Sequence, residues 1–318
     1  MIPKLYIVVP CYNEEDVLPD TLKVMTQKIQ TLSQSEKIST ESRILFIDDG
    51  SKDNTWQMIE NYSNENELVE GIKLSRNKGH QNAVLAGLMF AKDYCDIAVS
   101  IDADLQDDIN AIDKMVEEYL NGCDIVYGVR GSRTTDTGFK RNTAQGYYKF
   151  MEALGVDIIY NHADFRLMSK RALVGLSEFK EANLFLRGIV PLIGFRYSTV
   201  SYDRTERMAG QSKYPFKKMM ALAIDGITSF SIKPLRFITF LGAVICGFSI
   251  ITMLTILILK IGFGKIAANG SLVCSIWLLS GVQLLGMGIL GEYIGKIYQE
   301  VKHRPRYIIE KDTLNNEK

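Results

Sequence analysis

Five short apolar runs constrain this chain most: Leu5–Val9, Arg43–Ile47, Gly71–Leu74, Ile97–Ile101 and Ile125–Val129. Each is too short for a helix and reads as a buried strand. The stretches between them have helical character. A helix is expected from the loop Pro10–Glu14 to near Leu32, and a second runs from the cap Asp53-Asn54-Thr55 to about Tyr62. Two more are expected over Gly79–Ala91 and Ile109–Leu120. Strands alternating with helices imply an α/β fold around a parallel sheet. The polar, Ser-rich stretch Thr31–Ser42 reads as a loose connection, and no internal repeat or low-complexity segment interrupts the pattern.

Open parallel sheets bind ligands outside the carboxyl ends of their strands. Four polar motifs follow strands here: Pro10–Glu14, Asp48–Ser51, Arg76–Gly79 and Asp102–Gln106. Four such turns at one sheet edge make one site. The most telling is Asp102-Ala103-Asp104-Leu105-Gln106-Asp107-Asp108, directly after an apolar strand. In extended chain, residues two apart point the same way. Asp102 and Asp104 can therefore converge, and a hard divalent cation such as Mg²⁺ or Mn²⁺ would relieve their repulsion while keeping positions open for substrate phosphates. The alternative is a solvated acidic turn capping the following helix. There is no G-x-G-x-x-G and no G-x-x-x-x-G-K-[ST], so neither a dinucleotide fold nor a P-loop is supported.

With 37 basic and 37 acidic residues, nothing global suggests a nucleic-acid partner. The five scattered cysteines form no C-x-x-C pair and suggest a reduced protein facing the cytoplasm. No signal peptide is evident in Met1-Ile2-Pro3-Lys4-Leu5. The apolar residues are unevenly spread. Leu235–Leu259 carries no charge but Arg236, and Ser271–Gly291 carries none. At about 1.5 Å per residue, either stretch could cross the roughly 30 Å hydrocarbon core. The expected organisation is a catalytic domain over 1–213, amphipathic interfacial helices over 214–233, transmembrane helices over 234–260 and 270–295, and a tail over 296–318. Basic residues flank both stretches on their outer sides: Lys213, Lys217, Lys218, Lys233 and Arg236 before the first, and Lys296, Lys302, Arg304, Arg306 and Lys311 after the second. By the positive-inside rule both termini are expected in the cytoplasm of a multi-pass inner-membrane protein.

The spaced set Val8-Val9-Pro10-Cys11-Tyr12-Asn13-Glu14-Glu15, Ile47-Asp48-Asp49-Gly50-Ser51-Lys52-Asp53, Arg76-Asn77-Lys78-Gly79 and Asp102-Ala103-Asp104-Leu105-Gln106 resembles family 2 glycosyltransferases. His162-Ala163-Asp164-Phe165-Arg166-Leu167-Met168 and Arg207-Met208-Ala209-Gly210-Gln211-Ser212-Lys213-Tyr214 narrow the resemblance. They point to polyprenyl-phosphate glycosyltransferases of the bactoprenol glucosyltransferase type, akin to dolichol-phosphate mannose synthase. The resemblance implies an A-type glycosyltransferase fold, Rossmann-like with a mostly parallel sheet, plus two C-terminal transmembrane helices. It implies that Pro10, Tyr12, Glu14, Ile47 and Asp49 hold the nucleotide, with Asp102, Ala103, Gln106 and Arg130 also on the nucleotide sugar. Asp102, Asp104 and Gln106 would hold Mg²⁺ or Mn²⁺. Arg130, Arg207 and Lys213 would meet phosphates, the last two those of the acceptor. Asp104, Asp164 and Arg207 would be catalytic, Asp164 as a sugar-orienting group or a base. Implied partners are a nucleotide diphospho-sugar, a polyprenyl phosphate lipid, the membrane and further copies of the chain in a homo-oligomer (tetramer).

The implied reaction is metal-dependent, inverting transfer of one hexose, with glucose favoured over N-acetylglucosamine, from a UDP-sugar to undecaprenyl phosphate. The product would be a donor for cell-envelope glycosylation. Other readings are a processive polysaccharide synthase, against which stand two spans and no Q-x-x-R-W, and a non-catalytic nucleotide-sugar sensor, against which stands the Asp102/Asp104 pair. Individual residues also have plainer roles. Asp49 and Asp53 suit turns and caps, and Arg207 and Lys213 suit a membrane surface. His80 and His162 read as structural hydrogen bonders, and Tyr147 and Tyr148 as core or interfacial residues.

Overall fold

The computed structural model describes residues 2–131, 162–181, 185–203, eight isolated positions between 238 and 261, and 269–314. Two compact units divide the chain. The first comprises Met1–Glu152, Asp157–Tyr214 and Arg304–Lys318, and the second Ala153–Val156 and Pro215–His303.

The first unit is built as the alternation predicts. Strands β1 (Leu5–Cys11), β2 (Arg43–Asp48), β3 (Val69–Leu74) and β4 (Ile97–Ser100) are connected by helices α1 (Leu18–Gln34), α2 (Thr55–Glu65) and α3 (His80–Ala91). β1 pairs in parallel with both β2 and β4, and β2 with β3. Their side chains are almost wholly buried, as expected of strands covered on both faces. Gly87 lets α3 lie flat on this sheet, because a Cβ there would come within 2.5 Å of Val8 and 2.6 Å of Ile47.

Beyond β4 the pattern changes. After α4 (Ala111–Leu120), strand β5 (Ile125–Arg130) does not join β4. Strand β6 (His162–Ser169) inserts between them, antiparallel to both, and β7 (Tyr197–Tyr202) pairs in parallel with β5. Short helices α5 (Lys170–Ser177) and α6 (Leu186–Leu192) link β6 to β7. The eight-stranded order is β7-β5-β6-β4-β1-β2-β3-β8. The last strand, β8 (Ile309–Asp312), comes from the C-terminal tail and closes the β3 edge in antiparallel fashion. Ser75 N–H donates to the Ile308 carbonyl, and Gly71 and Thr313 exchange two more hydrogen bonds. The connection Thr31–Ser42 is less loose than its composition suggests. α1 continues to Gln34, Ile38 is buried, Ser39 N–H donates to Pro3 and Ser42 Oγ accepts from Leu5 N–H.

At the opposite end of the sheet from the motif loops, Tyr6 donates its hydroxyl to buried Glu70 at 3.0 Å, with Arg43 at 3.9 Å. Burial raises the Glu70 carboxyl, although the Tyr6 hydrogen bond and the charges of Arg43 and Lys4 oppose the rise. A raised native carboxyl holds its proton after the unfolded chain has released it, so stability falls as pH climbs through that window. An amide at this position can still accept from Tyr6 and undergoes no such loss. Glu70→Gln should therefore gain in unfolding free energy over the wild type more at pH 8 than at pH 5, measured by denaturant titration. An equal difference at both pH values would mean the carboxyl titrates normally.

Among the described residues no helix is long and apolar enough to cross a membrane. The spans expected over 234–260 and 270–295 are thus not supported by those residues, and most of the first lies outside them. The second falls in α7 (Asn269–Val301), whose 33 residues extend about 50 Å. Its described side chains include Gln283, Glu292, Lys296 and Glu300, and those of several apolar positions between 271 and 285 lie outside the described residues. It exposes Leu272, Ile276, Met287, Leu290, Ile294 and Ile297. The interfacial stretch 214–233 lies outside the described residues.

Candidate active site

Because β1, β2, β3 and β4 are parallel, the loops that follow them share one edge of the sheet. Antiparallel β6 begins at that same edge, and β5 ends there, with Val129 opposite His162. Seven of the expected site residues therefore lie along one edge of the sheet: Tyr12, Glu14, Asp49, Asp102, Asp104, Arg130 and Asp164.

The first three loops are knitted together by hydrogen bonds. Asn13, at φ 52°, accepts from Lys52 N–H through Oδ1 and donates its own N–H to Ser51 Oγ. Glu14 N–H donates to Thr55 Oγ1, and Glu15 accepts from the Asn54 backbone and side chain. Asp53 serves as the turn residue expected, accepting from Thr55 N–H and hydroxyl, and also accepts from Glu15 N–H. Asp49 is 3% exposed, and its two oxygens accept from Lys78 N–H at 2.7 Å and Gly79 N–H at 2.9 Å. It thus fastens the Arg76–Gly79 loop to the β2 end, while each oxygen keeps a second lone pair for a ligand. Gly50, at φ +66°, makes this possible, because a Cβ there would lie 2.6 Å from Asn77 N. Pro10 is buried in β1. Ile47 is buried under Gly87, so its backbone rather than its side chain could meet a nucleotide.

The acidic turn continues from β4. Ile101 N–H donates to Val8, and the Ala103 carbonyl accepts from the buried Thr21 hydroxyl. Leu105 sits at φ 53°, a strained conformation for a branched side chain and one typical of functional turns. Asp104 Oδ1 accepts from Gln106 N–H, and the Gln106 side chain is buried. Burial raises the Asp102 carboxyl to about 6; His80 opposes the rise, whereas Asp164, Asp107 and Asp104 add to it.

That crowding of negative charge favours a cation. Asp102 and Asp104 suit a divalent ion that draws its remaining ligands from substrate phosphates and water, as Mg²⁺ characteristically does. No group of three His, Cys, Asp or Glu side chains among the described residues could hold a metal by itself.

Several neighbours were not singled out as site residues by sequence reasoning. His80, expected to be a structural hydrogen bonder, stands between two carboxylates, its Nε2 3.4 Å from Asp102 Oδ1 and 3.8 Å from Asp164 Oδ2. Asp164 accepts from Arg166 Nη2 at 2.9 Å and from Arg187 Nε and Nη2 at 3.1 and 3.0 Å. Burial alone would raise this carboxyl, but the charges of Arg187 and Arg166, the Arg187 hydrogen bonds and His80 outweigh it and hold Asp164 well below the usual carboxylate range. Beside this group, Tyr202 donates to buried Asp107 at 2.7 Å, and Arg130 Nη2 lies 3.9 Å from the same oxygen. His80 carried a signal, its position directly after the Arg76–Gly79 motif. Asp107 lies within the acidic run after β4, whereas Arg187 and Tyr202 belong to no motif. Arg207, Lys213, Tyr147 and Tyr148 lie outside the described residues.

The profile for glycosyl transferase family 2 matches residues 6–175, more than half of the chain. The chain belongs to glycosyltransferase family 2. It is a transferase, and its sheet is the α/β, mostly parallel core of the A-type glycosyltransferase fold. Among its relatives is the glycosyltransferase YkoT of Bacillus subtilis, 53% identical over 315 residues that cover 99% of this chain and 94% of that one. The SfII prophage-derived bactoprenol glucosyl transferase of Shigella flexneri is 40% identical over 315 residues, covering 98% and 99%. A prophage bactoprenol glucosyl transferase homolog of Escherichia coli is 39% identical over 312 residues, covering 97% and 99%. In this family 2 glycosyltransferase the loops after β1, β2, β3 and β4 share one edge of the sheet with the end of β5 and the start of β6.

Proposed function

We propose that this glycosyltransferase moves a single hexose, glucose first among the candidates, from a UDP-sugar to the phosphate of a polyprenyl lipid at the membrane. The observation that carries the reading is the Asp102–Asp104 turn, set beside His80 and the guanidinium-clamped Asp164 at the carboxyl edge of the sheet. Near-full-length likeness to relatives named bactoprenol glucosyl transferase supports the lipid acceptor. The uncharged stretches 237–259 and 271–291 and the exposed apolar residues of α7 support a membrane location, with both chain ends on the cytoplasmic side. Assembly as a homo-oligomer is a further part of this reading.

The chemistry needs little acid–base help. An acceptor phosphate monoester has a second pKa of about 6 and is largely ionised at neutral pH. The difficult event is departure of the nucleotide diphosphate, which gathers charge as the glycosidic bond breaks. A divalent ion on Asp102 and Asp104 would supply Lewis-acid stabilisation of that charge. Arg130 offers a guanidinium at the same rim. Asp164, kept ionised by two arginines, is a poor proton acceptor and suits orientation. The strand-end loops bind and align, so positioning contributes most of the acceleration.

Purified full-length protein in detergent, given polyprenyl phosphate with a panel of UDP- and GDP-sugars, is expected to form one singly glycosylated lipid, fastest with UDP-glucose. Polymer formation would indicate a processive synthase. Nucleotide binding without any lipid product would indicate a sensor.

A further inference from the structure

The acidic turn is built against the backbone's own preference. Ile101 and Ala103 are buried in the core, which leaves Asp102 and Asp104 half-buried on the other side of the chain. Leu105 then takes φ 53°, a left-handed value that a branched side chain keeps only where its surroundings enforce it. Two buried hydroxyls stand where that enforcement is needed. Thr21, on α1 and fully buried, has one hydroxyl proton and two carbonyls in reach, Val17 of its own helix at 2.9 Å and Ala103 at 2.7 Å. The nearer carbonyl belongs to the residue between the two aspartates. At the far end of the turn, Tyr202 on β7 donates to Asp107 Oδ1 at 2.7 Å, both residues being buried. Burial, and after it the charge of Asp107, pushes the tyrosine hydroxyl up, so it remains a proton donor at any working pH.

Both hydroxyls come from firmly placed side chains. Thr21 shares the buried face of α1 with Leu18, Met25 and Ile29. The Tyr202 ring meets Phe165 edge-on at 5.3 Å, and a Cβ on Gly128 would lie 3.0 Å from it. Packing holds the ring, and the hydroxyl is left to hold Asp107. Thr21 and Tyr202 stand outside the strand-end motifs, and Tyr202 lies beyond residues 6–175 that match the family.

We propose that Thr21 and Tyr202 are positioning residues of the active site: their hydroxyls hold the Asp102–Asp107 turn at its two ends and so fix the spacing of Asp102 and Asp104. The inference rests on the reading of this turn as the seat of the cation and the donor diphosphate. Carboxylates set in advance need no ordering when the cation arrives. A turn free to relax at Leu105 must be re-ordered at each binding event, and apparent affinity falls with the population of the competent form.

Full-length Thr21→Val and Tyr202→Phe each remove one hydroxyl and keep the packing. In Tyr202→Phe the Arg130 guanidinium, 3.9 Å from Asp107, still offsets the carboxylate. Calorimetric titration of Mn²⁺ in the presence of UDP is the readout free of turnover, and kinetics with donor, lipid phosphate and Mn²⁺ varied separately accompany it. Tyr202→Phe should weaken Mn²⁺ binding by about tenfold or more and Thr21→Val by about threefold or more, the scales of a charge-assisted and a neutral hydrogen bond. Transfer at limiting Mn²⁺ should fall in step, with the acceptor KM and the melting temperature close to wild type. Thr21→Ser, which keeps the hydroxyl, should recover most of the loss. A lowered melting temperature with unchanged Mn²⁺ affinity would make the hydroxyls structural and overturn the proposal. Wild-type Mn²⁺ affinity and turnover in a folded variant overturn it for that residue. If the wild type binds no Mn²⁺ and is fully active in excess chelator, the cation reading fails, and kcat/KM for the donor decides: a loss in the folded variants upholds the positioning role, and wild-type values end it.

Discussion

Asp104→Asn should lower transfer by at least about 10²–10³-fold, the scale seen when a preorganised group that stabilises developing charge is removed. The fold should survive. Asp104 accepts from Gln106 N–H through Oδ1, and the amide oxygen of asparagine can accept the same bond. What asparagine lacks is the charge that holds a cation beside Asp102. The measurement is initial rate against divalent-ion concentration, with far-UV circular dichroism as the control for folding. Asp104→Asn with wild-type rates, or wild-type protein fully active in excess chelator, would remove the metal from the account.

Asp164→Ala should cost about 3–5 kcal/mol of stability, the range for breaking a buried ion pair by deleting one partner. The penalty comes from Arg166. Its side chain is 1% exposed and its Nε already has no hydrogen-bond partner, so loss of the carboxylate strands a charge inside the protein. Arg187 can turn toward water and should contribute less. Asp164→Ala/Arg166→Leu should therefore recover most of the loss, since an apolar side chain leaves no charge behind. Denaturant unfolding of the three proteins provides the comparison. A double variant as unstable as Asp164→Ala would move the origin of the cost to Arg187 or to packing around Phe165.

How far the sequence could be read follows from how local each element's cause is. β1 to β5 and α1 to α4 carry their own signals, because apolar runs and 3.6-residue periodicity act within a dozen residues. Their loops collect at one edge as a consequence of parallel pairing, so the meeting of Asp49, Asp102 and Asp104 was legible without any coordinates. β6 and β7 were not read. Tyr197–Tyr202 buries only Val200 and Tyr202, and β6 owes its central place to register with β4 and β5 across more than 30 residues of chain. The same non-local pairing hid the environment of Arg187. Nothing in Phe185-Leu186-Arg187-Gly188 announces a partner 23 residues away. His80 lies beside the Arg76–Gly79 motif, but both carboxylates that flank it, Asp102 and Asp164, reach it only through strand pairing, one from a parallel and one from an antiparallel strand.

β8 has a bearing on topology that hydropathy cannot supply. Ile309–Asp312 hydrogen-bonds to β3 within the same sheet that carries the active-site loops. The two ends of the intervening segment, Pro215–His303, are therefore fastened to a single folded body. Such a body occupies one aqueous compartment. Whatever that segment does in a bilayer, it must enter and leave by the same face, so its crossings number zero, two or another even count. A single anchoring span is incompatible with the strand pairing, and any charge-based orientation of the chain must satisfy this parity.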